Sequence, residues 1–225
     1  MLLACGLAED RIRIVRSGID LGKFAKVTDN SYLLKEFNLE PGTPVVGNIA
    51  ALAPHKSQVD FIRAAKHVSS QMDDARFFIV GEGTLRPQLE ALIRELDMGD
   101  RITMTGFRED VLEMICLLDC FVLSSYLEGL CTSIMDAHAL SVPVVATRTG
   151  GVPDLVEDGV TGVLVPPREP EQLGKAIVRM LTDDRLRESC VTNAKKQSES
   201  YDYRNMVGGT LDAYRSLVGR TATVG

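Results

Sequence analysis

Phe77-Phe78-Ile79-Val80-Gly81-Glu82-Gly83, followed by an amphipathic stretch over 85–96 and a further strand-like run at Ile102-Thr103-Met104-Thr105, decides the fold class. A short apolar run such as 77–80 reads as a strand buried on both faces. The glycines after it read as a tight strand-to-helix turn, because glycine lets the main chain bend sharply or approach a ligand closely. The same unit recurs on either side. Strands are predicted at 45–50, 77–80, 102–105, 120–123, 143–146 and 162–165, and helices at 59–72, 85–96, 111–117, 132–140 and 169–181. Strands alternating with helices imply right-handed crossovers and a mostly parallel sheet covered on both faces. The expected class is α/β, one doubly wound, Rossmann-like domain of six strands with terminal helices. Residues 184–217 carry no strand signal and read as two helices meeting near Tyr201.

Composition narrows the function. Of 225 residues, 25 are Lys or Arg and 31 Asp or Glu, a net charge of −6. The basic residues form no run, which disfavours a nucleic-acid partner but leaves room for a small anionic ligand. Five cysteines, an odd number scattered along the chain, do not form a disulfide framework and point to a reducing, cytoplasmic setting. The richest apolar stretch, 111–127, is interrupted by Glu113 and Asp119, so no transmembrane segment is expected. Residues 1–8 are apolar without a basic leader; they read as the end of a preceding element rather than a signal peptide.

Ligands of an open parallel sheet bind beyond the carboxyl ends of its strands, where helix N-termini present N–H groups. The strand-to-helix loops are therefore where to look. Lys56, in Ala53-Pro54-His55-Lys56-Ser57, stands at a helix start, where a cation is disfavoured unless an anion joins it. It is either a phosphate contact or a solvated lysine. Gly81 and Gly83 are cradle or plain turn, and Gly150-Gly151, before Val152-Pro153-Asp154, are cradle or helix start. In Ser125-Tyr126-Leu127-Glu128-Gly129-Leu130-Cys131-Thr132-Ser133-Ile134-Met135-Asp136, Glu128 and Asp136 stand eight apart and can flank one helix N-terminus. Two carboxylates beside free N–H groups suit vicinal hydroxyls joined to phosphate, the pattern of a sugar nucleotide. Their plainer readings are a surface residue and a helix-dipole partner. Cys116 and Cys120, four apart on a predicted helix face, read as buried thiols rather than metal ligands. Cys131 reads as packing despite a helix N-terminus that favours thiolate. His138 reads as structural or surface.

Taken in order, Val15-Arg16-Ser17-Gly18-Ile19-Asp20 with Phe24, the Lys56 loop, Val80-Gly81-Glu82-Gly83, Thr105-Gly106-Phe107, the segment from Ser124 to Asp136, Thr149-Gly150-Gly151-Val152-Pro153-Asp154, and Gly159 to Pro166 form a family pattern. The chain resembles the carboxy-terminal, nucleotide-sugar-binding half of a GT-B-fold retaining glycosyltransferase of family four, the group 1 glycosyltransferases. The resemblance implies that Lys56 neutralises the diphosphate leaving group and that Glu128 lies near the transferred sugar; these are the catalytic candidates. It places Asp136 at the ribose and the N–H groups of Gly129, Leu130, Cys131 and Thr132 at phosphate or sugar. Phe107 would border the base, with Gly81 and Gly83 forming the nearby cleft wall; Gly150 and Gly151 stand with the donor-binding candidates, as a cradle or a helix start. It implies no metal and no cofactor beyond the nucleoside-diphosphate sugar donor, with the acceptor held by an amino-terminal domain outside this sequence. A polysaccharide or glycolipid pathway follows at family level, at the inner membrane surface in the full-length protein.

Three positions depart from the family pattern. Ala50-Ala51-Leu52 replaces Gly-Arg-Leu, removing a second phosphate cation for which Arg148, Arg108 and His55 are the candidate substitutes. Asp136 replaces glutamate, and Ser17 replaces asparagine. The expected division is an interdomain linker over 1–24, the binding domain over 25–200, and a crossing helix and tail over 201–225, its apolar face open to self-association. The alternatives are a nucleotide-sugar 2-epimerase half and a non-catalytic nucleotide-binding or scaffolding domain.

Overall fold

The structure, a computed structural model, describes residues 12–27 and 30–221. Six strands, β1 Val45–Ile49, β2 Arg76–Val80, β3 Ile102–Gly106, β4 Cys120–Leu123, β5 Val144–Thr147 and β6 Val163–Val165, form one sheet. Its order is β3-β2-β1-β4-β5-β6, with every neighbouring pair parallel. This is the doubly wound class expected from the sequence, with each strand within one or two residues of its predicted bounds.

Eight helices accompany the sheet in the described residues: α1 Ser31–Glu36, α2 Gln58–Ser69, α3 Arg86–Glu95, α4 Val111–Cys116, α5 Thr132–Ala139, α6 Pro170–Thr182, α7 Asp184–Ser198 and α8 Tyr203–Thr221. The two expected terminal helices are α7 and α8, divided by a 3-10 turn at Glu199–Tyr201. α1 and a 3-10 helix at Leu21–Lys26 are additions; six residues each is too short to show a helical period. No helix among the described residues is long and apolar enough to cross a membrane. The expectation for the opening residues, 1–8, lies outside the described residues.

Strand side chains alternate between two cores. Val45, Phe78, Val80, Phe121, Leu123 and Val144 share one with Leu33 of α1, Met114 and Ile115 of α4 and Ile134 of α5. Val46, Phe77, Ile79, Val122 and Val145 share the other with Phe61 and Ile62 of α2, Leu89 of α3 and Ile177 of α6. Both faces are dry, which is why the strands read as continuous apolar runs. Ile19 is anchored to the chain's other end: its N–H donates to the Tyr201 carbonyl at 2.7 Å and its carbonyl accepts from Tyr203 N–H at 3.0 Å. Gly18 allows that approach, since a Cβ there would lie 2.8 Å from Tyr203 N.

The order reverses between β1 and β4, which pair at the centre of the sheet. Loops leaving the carboxyl ends of these two strands diverge to opposite sides, and the crevice between them is the ligand position in sheets of this order.

Candidate active site

The loop after β1 is fastened before it reaches Lys56. Ala50 N–H donates to the Val80 carbonyl at 3.0 Å, Leu52 N–H to the Glu82 carbonyl at 2.9 Å, and Gln58 Nε2 to the Ala51 carbonyl at 3.0 Å. A 3-10 turn over Pro54–Lys56 and a left-handed Ser57 (φ 47°) then lead into α2. Lys56 Nζ donates to Glu128 Oε1 at 2.6 Å, and Ser125 Oγ donates to the same oxygen at 2.6 Å. The Lys56 and Glu128 side chains are 19% and 7% exposed, enough burial to set this charge-assisted contact apart from an ordinary surface ion pair. Bonds to main-chain carbonyls register the two loops: Ser124 Oγ donates to that of Lys56 and Tyr126 N–H to that of His55, each at 2.9 Å.

The loop after β5 holds the Glu128 segment from the other side. Thr147 Oγ1 donates to the Ser125 carbonyl, Thr149 Oγ1 to the Tyr126 carbonyl at 2.9 Å, and Gly151 N–H to the Gly129 carbonyl at 3.0 Å. Gly150 has φ +52°, and a Cβ there would overlap the Glu128 carbonyl; one on Gly151 would stand 2.6 Å from the Gly129 carbonyl. These two glycines support the backbone that carries Glu128. Gly81 (φ +140°) and Gly83 do the same for the Lys56 loop, each leaving no room for a Cβ beside the carbonyl of Ala50 or Leu52.

Beyond Glu128, Gly129 is exposed, Leu130 half-buried, and Cys131 buried as the N-cap of α5, whose first residue, Thr132, is exposed. Burial pushes the Cys131 thiol up, and among the charges Glu128 adds to that shift while Lys56 opposes it. It is a packed thiol, not a thiolate. Asp136 lies in the second turn of α5, where its Oδ1 accepts from Lys23 Nζ at 2.7 Å. Phe107 is 74% exposed after Gly106 (φ +79°), on the loop of β3, two strands from β1. The structure thus brings Lys56 and Glu128 into contact with each other, backs Glu128 with Gly150 and Gly151, and ties Asp136 to a partner the sequence did not suggest.

Two of the three substitutes for the missing arginine are engaged elsewhere. Arg108 bonds Glu36 and Asp110 and stacks on Phe37, and these carboxylates raise its guanidinium above the ordinary range. Asp110 is held down to about 2, chiefly by Arg108. Arg148 pairs with Asp158 at 3.0 Å. His55 remains beside Lys56. Cys116 and Cys120 do not share a helix face as expected: the first ends α4 and the second begins β4. Among the described residues no group of three or more His, Cys, Asp or Glu side chains is placed to hold a metal ion. His138 is buried, its Nδ1 3.1 Å from the Tyr201 hydroxyl, and burial lowers its pKa to about 4.

Sequence reading missed Lys23, Ser125, Thr147 and Asn48. Asn48, 1% exposed within β1, donates from Nδ2 to the Val122 carbonyl of β4 at 2.9 Å and braces the reversal point. A polar residue inside an apolar strand was the available signal for it; nothing in the spacing linked Lys23 to Asp136.

Comparison with known proteins gives a consistent answer. The family described as Glycosyl transferases group 1 matches residues 32–197. The alpha-D-kanosaminyltransferase of Streptomyces kanamyceticus is 37% identical over 153 residues, covering 67% of this chain and 40% of that protein. A putative colanic acid biosynthesis glycosyltransferase of Salmonella typhimurium, WcaL, is 29% identical over 207 residues, covering 87% of this chain and 48% of that one. The chain thus spans less than half the length of either curated relative. Among solved structures, Anabaena HepE in complex with UDP superposes with a TM-score of 0.85 at 24% identity, covering 95% of this chain and 60% of that one. The C-terminal domain of a Francisella tularensis group 1 glycosyltransferase, LpcC, gives 0.72 at 22% identity, covering 81% of this chain and 97% of that one. With the family match spanning most of the sheet and its helices, the chain belongs to the group 1 glycosyltransferases, and its sheet has the Rossmann-like architecture of one half of a GT-B fold.

Proposed function

We propose that this chain is the donor-binding half of a glycosyltransferase that moves a sugar, with retention, from a nucleoside diphosphate to an acceptor held by a second domain. The observation that carries this reading is the Lys56–Glu128 contact at the point where the strand order reverses. An ammonium has three donors, so Lys56 can keep Glu128 while turning the others to phosphate oxygens. As the bond from sugar to diphosphate breaks, negative charge collects on the departing phosphate, and a fixed cation beside a helix N-terminus stabilises it. Glu128, held by Lys56 and Ser125, faces the sugar, and Asp136 accepts from the ribose hydroxyls. No metal or cofactor enters this scheme. UDP is the first nucleotide to try, because similar solved structures hold UDP or UDP-glucose.

The test is calorimetric titration of the chain with UDP, GDP and ADP, repeated on Lys56→Ala. One diphosphate should bind, and Lys56→Ala should weaken it about tenfold, the effect of losing one charged hydrogen bond. Binding that ignores Lys56→Ala would remove the phosphate assignment and favour a nucleotide-binding domain without catalytic use of Lys56. Acting alone, the chain should transfer no sugar, since the acceptor domain supplies the opposite wall of the cleft; turnover in a donor-hydrolysis or transfer assay would contradict this.

A further inference from the structure

We infer that Lys23 is a positioning residue for the donor's ribose: it fixes Asp136 so that one carboxylate oxygen is engaged and the other is aimed at the ribose hydroxyls. The inference rests on the donor-binding reading above and adds to it a residue from the far end of the chain. Lys23 Nζ donates to Asp136 Oδ1 at 2.7 Å across 113 residues of sequence, with the two side chains 34% and 14% exposed.

Lys23 is presented by a tethered segment. Asp20 caps the 3-10 helix Leu21–Lys26 by accepting from Gly22 N–H at 2.8 Å. Ile19, just before it, exchanges main-chain bonds with Tyr201 and Tyr203, and the Lys23 ammonium lies 4.9 Å from the centre of the Phe24 ring. A cation held this way fixes the rotamer of the carboxylate it meets. That matters because aspartate is one methylene shorter than the glutamate of the family pattern. A short side chain reaches a ligand only from a well-defined position, and fixing it beforehand removes the ordering cost from binding. A carboxylate has acceptor sites on both oxygens, so Oδ1 can hold Lys23 while Oδ2 accepts from the ribose.

The test compares UDP with its 2′-deoxy and 3′-deoxy counterparts on the wild-type chain and on Lys23→Met, Lys23→Arg and Asp136→Asn. Methionine keeps most of the lysine stem and removes the charge. The wild type should prefer UDP over the deoxy forms. Lys23→Met should bind UDP about tenfold more weakly, as for loss of one charged contact, while its affinity for the deoxy forms changes little, so the preference collapses. Lys23→Arg should restore it. The ratio is measured within each variant, so a general loss of stability does not imitate the result. An equal loss for all three nucleotides would make Lys23 merely structural, and an unchanged ratio would make it irrelevant. Tighter UDP binding in Lys23→Met would make Lys23 a competitor for the site. Each overturns the inference while leaving donor binding intact. If wild type binds UDP without discrimination and Asp136→Asn is silent, the ribose role of Asp136 falls and Lys23 with it. If wild type binds no UDP at all, the donor reading itself fails in its UDP form.

Discussion

A methyl group added at Gly81 meets the Ala50 carbonyl oxygen, and one added at Gly150 meets that of Glu128. Both positions also have positive φ, +140° and +52°. Because the obstructing atoms belong to the loops that carry Lys56 and Glu128, relief requires moving those loops. Gly81→Ala and Gly150→Ala should each cost about 2–4 kcal/mol of stability, more than the conformational-entropy gain such a change can return. Gly99→Ala, with nothing within 4 Å of the added atom, should shift stability by less than about 0.5 kcal/mol. Urea unfolding midpoints of the three variants check this ordering. At the same scale, burial raises the Cys131 thiol, so its thiolate fraction at pH 8 is below that of an ordinary cysteine. Mass-spectrometric mapping after mild alkylation at that pH should find Cys131 unmodified in the folded chain and modified in urea.

Three helices end in the same way without the glycine that usually marks such an end. After α3, Met98 N–H bonds the Ile93 carbonyl and Asp97 N–H the Arg94 carbonyl, with Asp97 at φ 53°. Asn38 after α1 and Ser141 after α5 repeat the pattern, at φ 50° and 61°. This two-bond closure needs a left-handed residue, a conformation costly for side chains other than glycine. Asp97→Gly should therefore raise stability by about 0.5–1 kcal/mol, seen as a melting temperature higher by about 1–4 °C. His138 joins α5 to the turn before α8 through Tyr201. Its imidazole titrates near 4 when folded and near 6.5 in the unfolded chain. Between those values the unfolded state binds more protons, so stability is complete above pH 6.5 and falls as the pH drops toward 4. The loss from this residue is of the order of 3 kcal/mol. Urea midpoints at pH 7 and pH 5 should show the fall, and His138→Asn should flatten it.

Across the whole molecule, apolar groups on α8 remain uncovered. Tyr203, Val207, Leu211 and Tyr214 recur at helical spacing and are 44% to 65% exposed. Ile14, on the amino-terminal segment that runs toward α8, is 85% exposed. A contiguous apolar stripe of this kind marks an interaction surface. We expect the isolated chain to self-associate at high concentration through this stripe, and Leu211→Lys to reduce the association; sedimentation velocity distinguishes the species. Gly18 and the Ile19 bonds explain why the segment before the sheet stays with the helix after it.

Strand positions and the doubly wound class were legible because buried parallel strands leave apolar runs and because glycines mark the turns between strand and helix. Those signals are local, and local order dictates them. The chain order alone could also place Lys56 and Glu128 at strand ends. That the two meet at 2.6 Å across 72 residues of sequence depends on β1 lying beside β4, which only the sheet order supplies. The same reason hid the restraint of Arg108 by Glu36, and the packing of Gly81 and Gly150 on neighbouring carbonyls. Lys23 was the least legible of all: a lysine in a short 3-10 helix has no sequence signature, and its meaning comes from a carboxylate that folding alone brings to it.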